Sequence, residues 1–346
     1  MNYRSHIPLF LATAGTLTMA AGTTLAQDNA EAAQDSGPYM PLALQNRPAR
    51  AGQGDHAGTV QLGLGYASDD SYMFGQYNGR NEDEVTLIGN LQWQDFTSGD
   101  NYWQASFSDL GLDTREGKLT WGKPDKLRLT LGFDSQQQVR NDSGKTPFRG
   151  DTNLQLPNNW DSGITTGDFS RLDASLHGFD RILQRDKLFI AADVMLNEQW
   201  QLESSVSYEE KQGNADMAGG IYTDGSSADA VLLRSPVDYQ TTEFDLGLSY
   251  TGQRLHLNGQ LGYAEFDNKD DALSWQNPYS SFSADVAFPS GTGGISLAPD
   301  NEVANGRLTG HYIFSATTRL QFDGSYAIAS QDQDYLDYTV NPGLTI

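Results

Sequence analysis

The sequence lacks cysteine altogether and is poor in basic residues. Without cysteine the chain itself forms no disulfide, no thiolate zinc site, no iron–sulfur cluster and no covalent c-type haem attachment. Its 22 basic residues are outnumbered by 45 acidic ones, which gives a formal net charge of -23. Because a nucleic-acid partner needs a basic protein surface, we expect no nucleic-acid binding.

Hydrophobic residues are also scarce, at 38% of the chain, whereas aromatic residues and glycines are abundant. The chain has 16 Tyr, 15 Phe, 6 Trp and 36 Gly. A disordered chain would be poor in aromatic residues. The composition therefore indicates a folded chain in which each strand has one apolar and one polar face.

Long apolar runs are absent after the first 26 residues. Arg4, the mostly apolar stretch that follows it and the small residues before Ala26 predict a signal peptide over residues 1–26. A membrane anchor is the alternative, but Thr and Gly interrupt the run and no later segment approaches the ~20 apolar residues of a membrane helix. Residues 27–58, rich in Ala, Gln, Pro and Gly, are predicted to form a periplasmic tail or linker.

From residue 59 onward, apolar and polar residues alternate with the period of two that is typical of strands. In residues 126–134, for example, leucines and Phe133 alternate with Lys126, Arg128, Thr130 and Asp134. The same pattern recurs in several other segments: residues 84–94, 103–108, 118–121, 188–196, 200–208, 243–250, 255–263, 308–314 and 319–328.

Two features of these strands predict a membrane environment. Many are about ten residues long, which is what a tilted strand needs to cross a bilayer. Their polar faces are wholly polar, and their apolar faces end in Trp, Tyr or Phe, as in barrels with a wet lumen and aromatic girdles. We therefore predict an all-β fold, an antiparallel transmembrane outer-membrane β-barrel, with residues 59–346 supplying about a dozen strands of a larger barrel. A soluble antiparallel sandwich is the alternative.

The links between strands alternate in length. Short links, such as Asn197-Glu198 and residues 251–253, are typical of the periplasmic rim. Long polar links are predicted over residues 137–167, 213–240 and 269–305, and these suit the outer rim.

No catalytic, cofactor-binding or metal site is predicted. Gly63-Leu64-Gly65 lacks the third glycine and the helix of a dinucleotide fingerprint. Residues 267–271 and 332–334 resemble pieces of calcium loops but lack the glycine and the final glutamate. Three histidines fall on predicted strands without a second ligand at metal-binding spacing, and we interpret them as strand residues, two of them facing the pore: His177, His256 and His311.

Several ordered motifs carry a resemblance to a known family. The first is the stretch of residues 65–79, Gly-Tyr-Ala-Ser-Asp-Asp-Ser-Tyr-Met-Phe-Gly-Gln-Tyr-Asn-Gly. The others follow in sequence at residues 102–103, 109–115, 145–150, 156–160, 274–279, 297–301 and 330–335. Together they resemble the MtrB/PioB family of decahaem-associated outer-membrane proteins. On this resemblance the chain is an N-terminal half or a truncated member, because it is shorter than family members.

The resemblance implies a function. Family members form outer-membrane barrels that sheathe a periplasmic decahaem c-type cytochrome, whose haems reach an outer-surface multihaem cytochrome or a mineral. The family serves extracellular electron transfer, in metal reduction or iron oxidation. The chain is thus expected to be a porin-like sheath in the outer membrane. It is expected not to be an enzyme and to have no cofactor of its own, because the partner cytochrome carries the haem. A general diffusion porin and a soluble exported β-rich binding protein remain the alternatives.

Overall fold

The computed structural model describes residues 5–9, 56–67, 72–77, 84–97, 101–222, 228–280 and 291–336. The predictions for the signal peptide and the tail lie largely outside these residues and stay predictions. Among the described residues, no helix has the length and apolarity needed to cross a membrane.

Strands account for most of the described chain. Within the described residues, helical structure is limited to two single turns and one 3-10 turn: α1 (Tyr72–Gly75), α2 (Leu172–Ser175) and residues Thr166–Asp168. The strands are β1 (Ser5–Leu9), β2 (His56–Tyr66), β3 (Val85–Thr97), β4 (Asn101–Leu110), β5 (Arg115–Lys123), β6 (Leu127–Thr146), β7 (Asn153–Leu154), β8 (His177–Met195), β9 (Trp200–Tyr222), β10 (Ala228–Thr251), β11 (Leu255–Asn268), β12 (Ala272–Gln276), β13 (Thr292–Ser296), β14 (Asn301–Ser315) and β15 (Thr318–Gln331).

Twelve strands form one antiparallel sheet in the order β1-β15-β14-β11-β10-β9-β8-β6-β5-β4-β3-β2. β1 pairs with β15, and from β2 onward consecutive strands are neighbours except where β7, β12 and β13 form a separate small sheet, in the order β13-β12-β7. The two edges of the large sheet, β1 and β2, do not pair with each other within the described part of the chain. The prediction of about a dozen antiparallel strands from a larger barrel is confirmed.

One face of the sheet is apolar and exposed. Between aligned strands the register brings leucine opposite leucine, as in Leu131 opposite Leu119 and Leu246 opposite Leu261. Large side chains on this face lie 38–79% exposed, which is the state of a lipid-facing surface. They include Leu62, Leu64, Leu131, Ile190, Val206, Leu261 and Leu308.

Aromatic residues border this apolar face at the ends near the short turns. Trp103 and Trp121 pack at 6.1 Å between ring centroids, and Trp200 and Tyr250 pack at 4.8 Å. On β9 the apolar face runs from Trp200 to Tyr208, a rise of about 26 Å. These nine residues are at the lower end of the ~9–11 that a tilted strand needs to cross a bilayer. The predicted girdle is thus present on these strands.

Several strands extend well beyond this band, which corrects the predicted loops at residues 137–167 and 213–240. β6 continues to Thr146, and β9 and β10 stay paired up to Tyr222 and Ala228. The sequence alternation fades there because the strands have left the bilayer. The face that continues the lipid side becomes polar, as at Glu210 and Gln212. The third predicted loop, residues 269–305, contains β12, β13 and the start of β14.

Gly213 marks the point where β9 separates from β8. The last pair between these strands is Leu183 with Gly213, after which β9 pairs only with β10. Gly213 has a φ of +135°, and a Cβ there would lie 1.9 Å from the carbonyl oxygen of Ile182. Only glycine fits both constraints without moving the backbone.

We expect Gly213→Ala to destabilise the folded sheet by about 1–3 kcal/mol, through strain at this junction. Urea unfolding of the refolded protein in detergent micelles, followed by tryptophan fluorescence, measures the change. Gly220→Ala on the same strand is the control, since nothing lies within 4 Å of the position of its new Cβ. Equal stability of the two variants would contradict the assigned strain.

Residues 72–77, which belong to the first of the family-like motifs, fold back onto the sheet. α1 lies between β2 and β3, and the Gln76 carbonyl accepts a hydrogen bond from the backbone N–H of Val139 at 3.1 Å. Gln138 donates to the Tyr77 hydroxyl at 3.3 Å. Val139 is fully buried and lies beside irregular pairing of β6 with β8. The stretch thus holds the extended part of β6.

Candidate functional site: the polar face and the outer cap

Ion pairs between strands run along the polar face of the sheet. Arg128 Nε in β6 donates to Asp193 Oδ2 in β8 at 2.7 Å, with both side chains mostly buried. Lys187 Nζ in β8 donates to Glu243 Oε2 in β10 at 3.2 Å, and Ser207 Oγ donates to the same oxygen at 2.8 Å. These contacts bridge three or four neighbouring strands. They hold charged groups at fixed positions on a surface that faces away from lipid.

Some carboxylates on this face are in close ion pairs and others are not. Arg307 in β14 donates twice to Asp323 in β15, at 3.1 and 2.6 Å. Glu203 and Asp245 also lie on the polar face of β9 and β10, where the Ser205 hydroxyl donates to Asp245 at 3.4 Å. In the described part of the chain neither of these two carboxylates has a basic group within 4 Å. A basic surface would complement them.

A second structure, here called the cap, is built from the described residues of 147–176 and 269–300. It contains β7, β12 and β13 and packs on the part of β9 and β10 that extends beyond the bilayer. Met217 of β9 and Leu233 of β10 are on the side of the strands that continues the polar face. The cap therefore lies on the inner side, at the outer rim. Its buried core is Phe148, Leu154, Phe169, Leu233, Leu273, Trp275, Tyr279 and Leu297.

Trp275 is the centre of this core. Its indole lies between Gly219 of β9 and Gly293 of β13, where a Cβ would come within 2.6 and 2.2 Å of the ring. Any larger residue at these two positions would displace the indole. The two glycines thus allow the small sheet to approach β9 closely.

Specific hydrogen bonds fix the cap to itself and to β10. Trp160 Nε1 donates to the carbonyl of Pro278 at 3.0 Å, although the two residues are 118 positions apart. Arg234 of β10 donates to the Gly150 carbonyl at 2.8 Å and to Asp151 at 2.6 Å. The cap is therefore held by polar contacts at its edges as well as by its apolar core.

Two carboxyl groups of the cap have shifted pKa values, in opposite directions. Hydrogen bonds from the backbone N–H and the hydroxyl of Thr165 lower the pKa of Asp168. Burial, followed by the nearby carboxylates of Asp238 and Asp151, raises the pKa of Asp270. Asp168 therefore stabilises the fold at pH values above its ordinary pKa, and this contribution is lost as the pH falls through its lowered pKa. Asp270 acts in the opposite direction, because its ionisation at rising pH lowers the stability of the fold.

Four of the eight motifs that carry the family resemblance converge in the cap. Phe148, Trp160, Trp275, Tyr279 and Leu297 come from four separate motifs and belong to, or pack against, one core. The sequence showed these motifs only as loop segments. Their contacts assign them a structural role in building the cap.

The two fragments that resemble calcium loops also come together at the outer end of β11, β14 and β15. Asp300 accepts from the backbone N–H of Asn268, and its own N–H donates to Gln333. Glu265, Asp267, Asp300, Glu302 and Asp332 line a cavity of about 250 Å³ there. Among the described residues, no three His, Cys, Asp or Glu side chains form a group that could hold a metal ion.

The three histidines predicted to lie on strands separate into two locations. His177 is the first residue of β8, at the outer end, opposite Thr146. His256 and His311 lie opposite each other on β11 and β14, on the polar face and next to the short turns. Sequence spacing could not show this pair, because 55 positions separate the two residues and only the strand register joins them.

An antiparallel sheet with a lipid-facing apolar band, aromatic borders and a charged inner face defines a porin-like β-barrel protein of the outer membrane. The sequence profile of the family described as "outer membrane beta-barrel porin, MtrB/PioB" matches residues 66–346. The chain belongs to the MtrB/PioB family, and it is located in the outer membrane, in contact with the lipid bilayer. This membership excludes the soluble exported alternative.

A relative and two solved structures complete the comparison. "Outer membrane protein MtrB" of Shewanella baltica (strain OS185) is 25% identical over 265 residues, which are 74% of this chain and 36% of that protein. The chain thus spans about a third of the length of this relative. In-vitro folded OmpT of Vibrio cholerae matches with a TM-score of 0.28 and 10% identity, over 81% of this chain and 76% of that one. The Pseudomonas putida toluene transporter TodX matches with a TM-score of 0.22 and 7% identity, over 80% and 87%.

Proposed function

We propose that this chain forms part of a sheath that holds a periplasmic multihaem c-type cytochrome across the outer membrane for extracellular electron transfer. The observation that carries the proposal is the inner face, where charged side chains are fixed by ion pairs across several strands. Fixed charges suit a protein surface, because they give specificity without large rearrangement. On this proposal the chain is not an enzyme and has no cofactor of its own, and the cytochrome carries the haem.

Two carboxylates of the inner face that are in no close ion pair support a basic contact surface on the cytochrome. Glu203 and Asp245 lie diagonally on adjacent strands, two register positions apart, since Asp245 is opposite Ser205 and Gly247 is opposite Glu203. Such carboxylates attract lysine or arginine from a bound protein. The cap lies further out on the same side, so a bound cytochrome would meet both surfaces. An outer-surface multihaem cytochrome would then dock beyond the cap.

Copurification tests the proposal. The chain, together with whatever further chain completes the barrel, is expressed with a decahaem c-type cytochrome, extracted from outer membranes in mild detergent and isolated through an affinity tag. We expect haem-staining protein to copurify with the unmodified chain. We expect the amount of haem that copurifies to fall at least about tenfold in the double variant Glu203→Lys with Asp245→Lys, because the new lysines would repel a basic partner.

The matched control reverses two charges on the opposite face of the same sheet. Asp186 and Glu210 are opposite each other just above the lipid-facing band. The double variant Asp186→Lys with Glu210→Lys is expected to retain the cytochrome. Failure of the unmodified chain to copurify any haem protein, or equal loss in both double variants, would refute the proposal.

A general diffusion porin is the second candidate, because the inner face of the membrane-spanning strands is mostly polar. Liposomes that contain the purified barrel without any cytochrome distinguish the two functions. Flux of small sugars through these liposomes would favour the diffusion porin. Electron transfer to an enclosed acceptor only when the cytochrome is present would favour the sheath.

A further inference from the structure

Two histidines form a pair on the inner face of the sheet, close to the periplasmic rim. His256 is the second residue of β11, and the strand register places it directly opposite His311 of β14. Their rings are stacked, with centroids 4.3 Å apart and planes inclined by only 16°. Both side chains are half-buried, so each keeps access to solvent on the inner side.

The surroundings of the pair are polar. Along the same row across the sheet, Thr251 of β10 is opposite His256, and Gln321 of β15 is opposite His311. The row begins next to the short turn at Gly252. Water can therefore reach the rings, and side-chain oxygens lie on the strands to either side. This is a place where a hydrated ion can exchange some of its water for protein ligands.

Two histidines on adjacent paired strands can share one metal ion. Zinc–nitrogen bonds are about 2.0–2.1 Å long, so two nitrogens that share one ion lie roughly 3 Å apart. In the stacked arrangement the nitrogen lone pairs lie in two nearly parallel planes and do not meet at one point. Both rings must therefore turn about their side-chain bonds before two nitrogens share an ion. The paired strands fix both backbones, so little conformational freedom is lost on binding.

We propose that His256 and His311 together bind a divalent first-row transition ion of the kind that prefers imidazole, such as Zn²⁺ or Cu²⁺. Each histidine supplies one neutral ring nitrogen, and water completes the coordination shell. In the described part of the chain no third His, Cys, Asp or Glu joins the pair. The site is therefore open and exchangeable, unlike a closed structural zinc site.

Substitution by phenylalanine separates this proposal from simple ring stacking. A phenyl ring at position 256 or 311 still stacks on the remaining imidazole but offers no nitrogen to a metal. Circular dichroism and the heat-dependent shift in electrophoretic mobility show whether each variant has folded. His177→Phe is the control, because His177 lies at the opposite end of the strands.

The experiment is calorimetric titration of the full chain, refolded in detergent micelles, with Zn²⁺. We expect the unmodified chain and His177→Phe to bind equally. We expect His256→Phe and His311→Phe each to weaken binding at least about tenfold, with the double variant little weaker than either single one. Bound Cu²⁺ should show splitting from two equivalent nitrogens in its electron paramagnetic resonance spectrum. No binding by the unmodified chain, or unchanged binding by either folded single variant, would overturn the proposal.

Discussion

Val206→Arg should destabilise the folded protein by about 1–3 kcal/mol, because it places a charge in the hydrocarbon region between the bilayer midplane and one interface. Val206 lies on the apolar face of β9, is 49% exposed and faces outward between Trp200 and Tyr208. An arginine at this depth can extend its charge toward the nearer interface, which reduces the energetic cost but does not remove it. Urea unfolding from lipid vesicles, followed by tryptophan fluorescence, measures the loss.

The adjacent residue provides the control. Ser205 lies on the polar face of the same strand, and its hydroxyl already contacts Asp245. Ser205→Arg places the same charge at almost the same depth but on the wet side, beside a carboxylate. We expect it to change stability by less than about 1 kcal/mol. If the two variants were equally stable, the assignment of the two faces would be wrong.

Leu273→Ala should destabilise the cap by about 2–5 kcal/mol, the usual range for truncating a fully buried leucine. Leu273 is 0% exposed and lies in β12 at the centre of the apolar core. Because the cap packs on β9 and β10 outside the lipid-facing band, its loss should leave the membrane-spanning strands intact. We expect protease added to whole cells to cleave residues 147–176 faster, with the amount of barrel in the outer membrane unchanged.

Ile164→Ala tests whether burial is the cause. Ile164 belongs to the same loop region but is 40% exposed, so its truncation removes little packing. Mass spectrometry of the released peptides should show cleavage close to that of the unmodified chain. Faster cleavage in Ile164→Ala than in Leu273→Ala would contradict the assigned core.

The sequence was most informative where strands cross the bilayer. Alternation along residues 126–134 and 200–208 is imposed by two different environments on the two faces of one strand, and β6 and β9 contain these segments. The turn at residues 122–125 likewise joins β5 and β6 as a hairpin. Lipid on one side and water on the other leave a strong signal in the residue pattern.

The cap could not be predicted from local pattern, because its contacts join distant segments. β7 pairs in parallel with β12, with Leu154 opposite Trp275. Such pairing has no turn signature, and strands of two and five residues are too short to show a period. The same holds for His256 and His311, which only the register brings together. The resemblance to a family identified the cap motifs as a set. Their contacts in one apolar core explain why they occur together.

β9 and β10 form a ribbon whose pairing is unbroken from Tyr222 opposite Ala228 to Trp200 opposite Tyr250. One end of this ribbon carries the cap, and the other ends in the aromatic border beside the short turns. The register of this ribbon has no shift along its length, so the ribbon holds the cap at a fixed distance from the aromatic border.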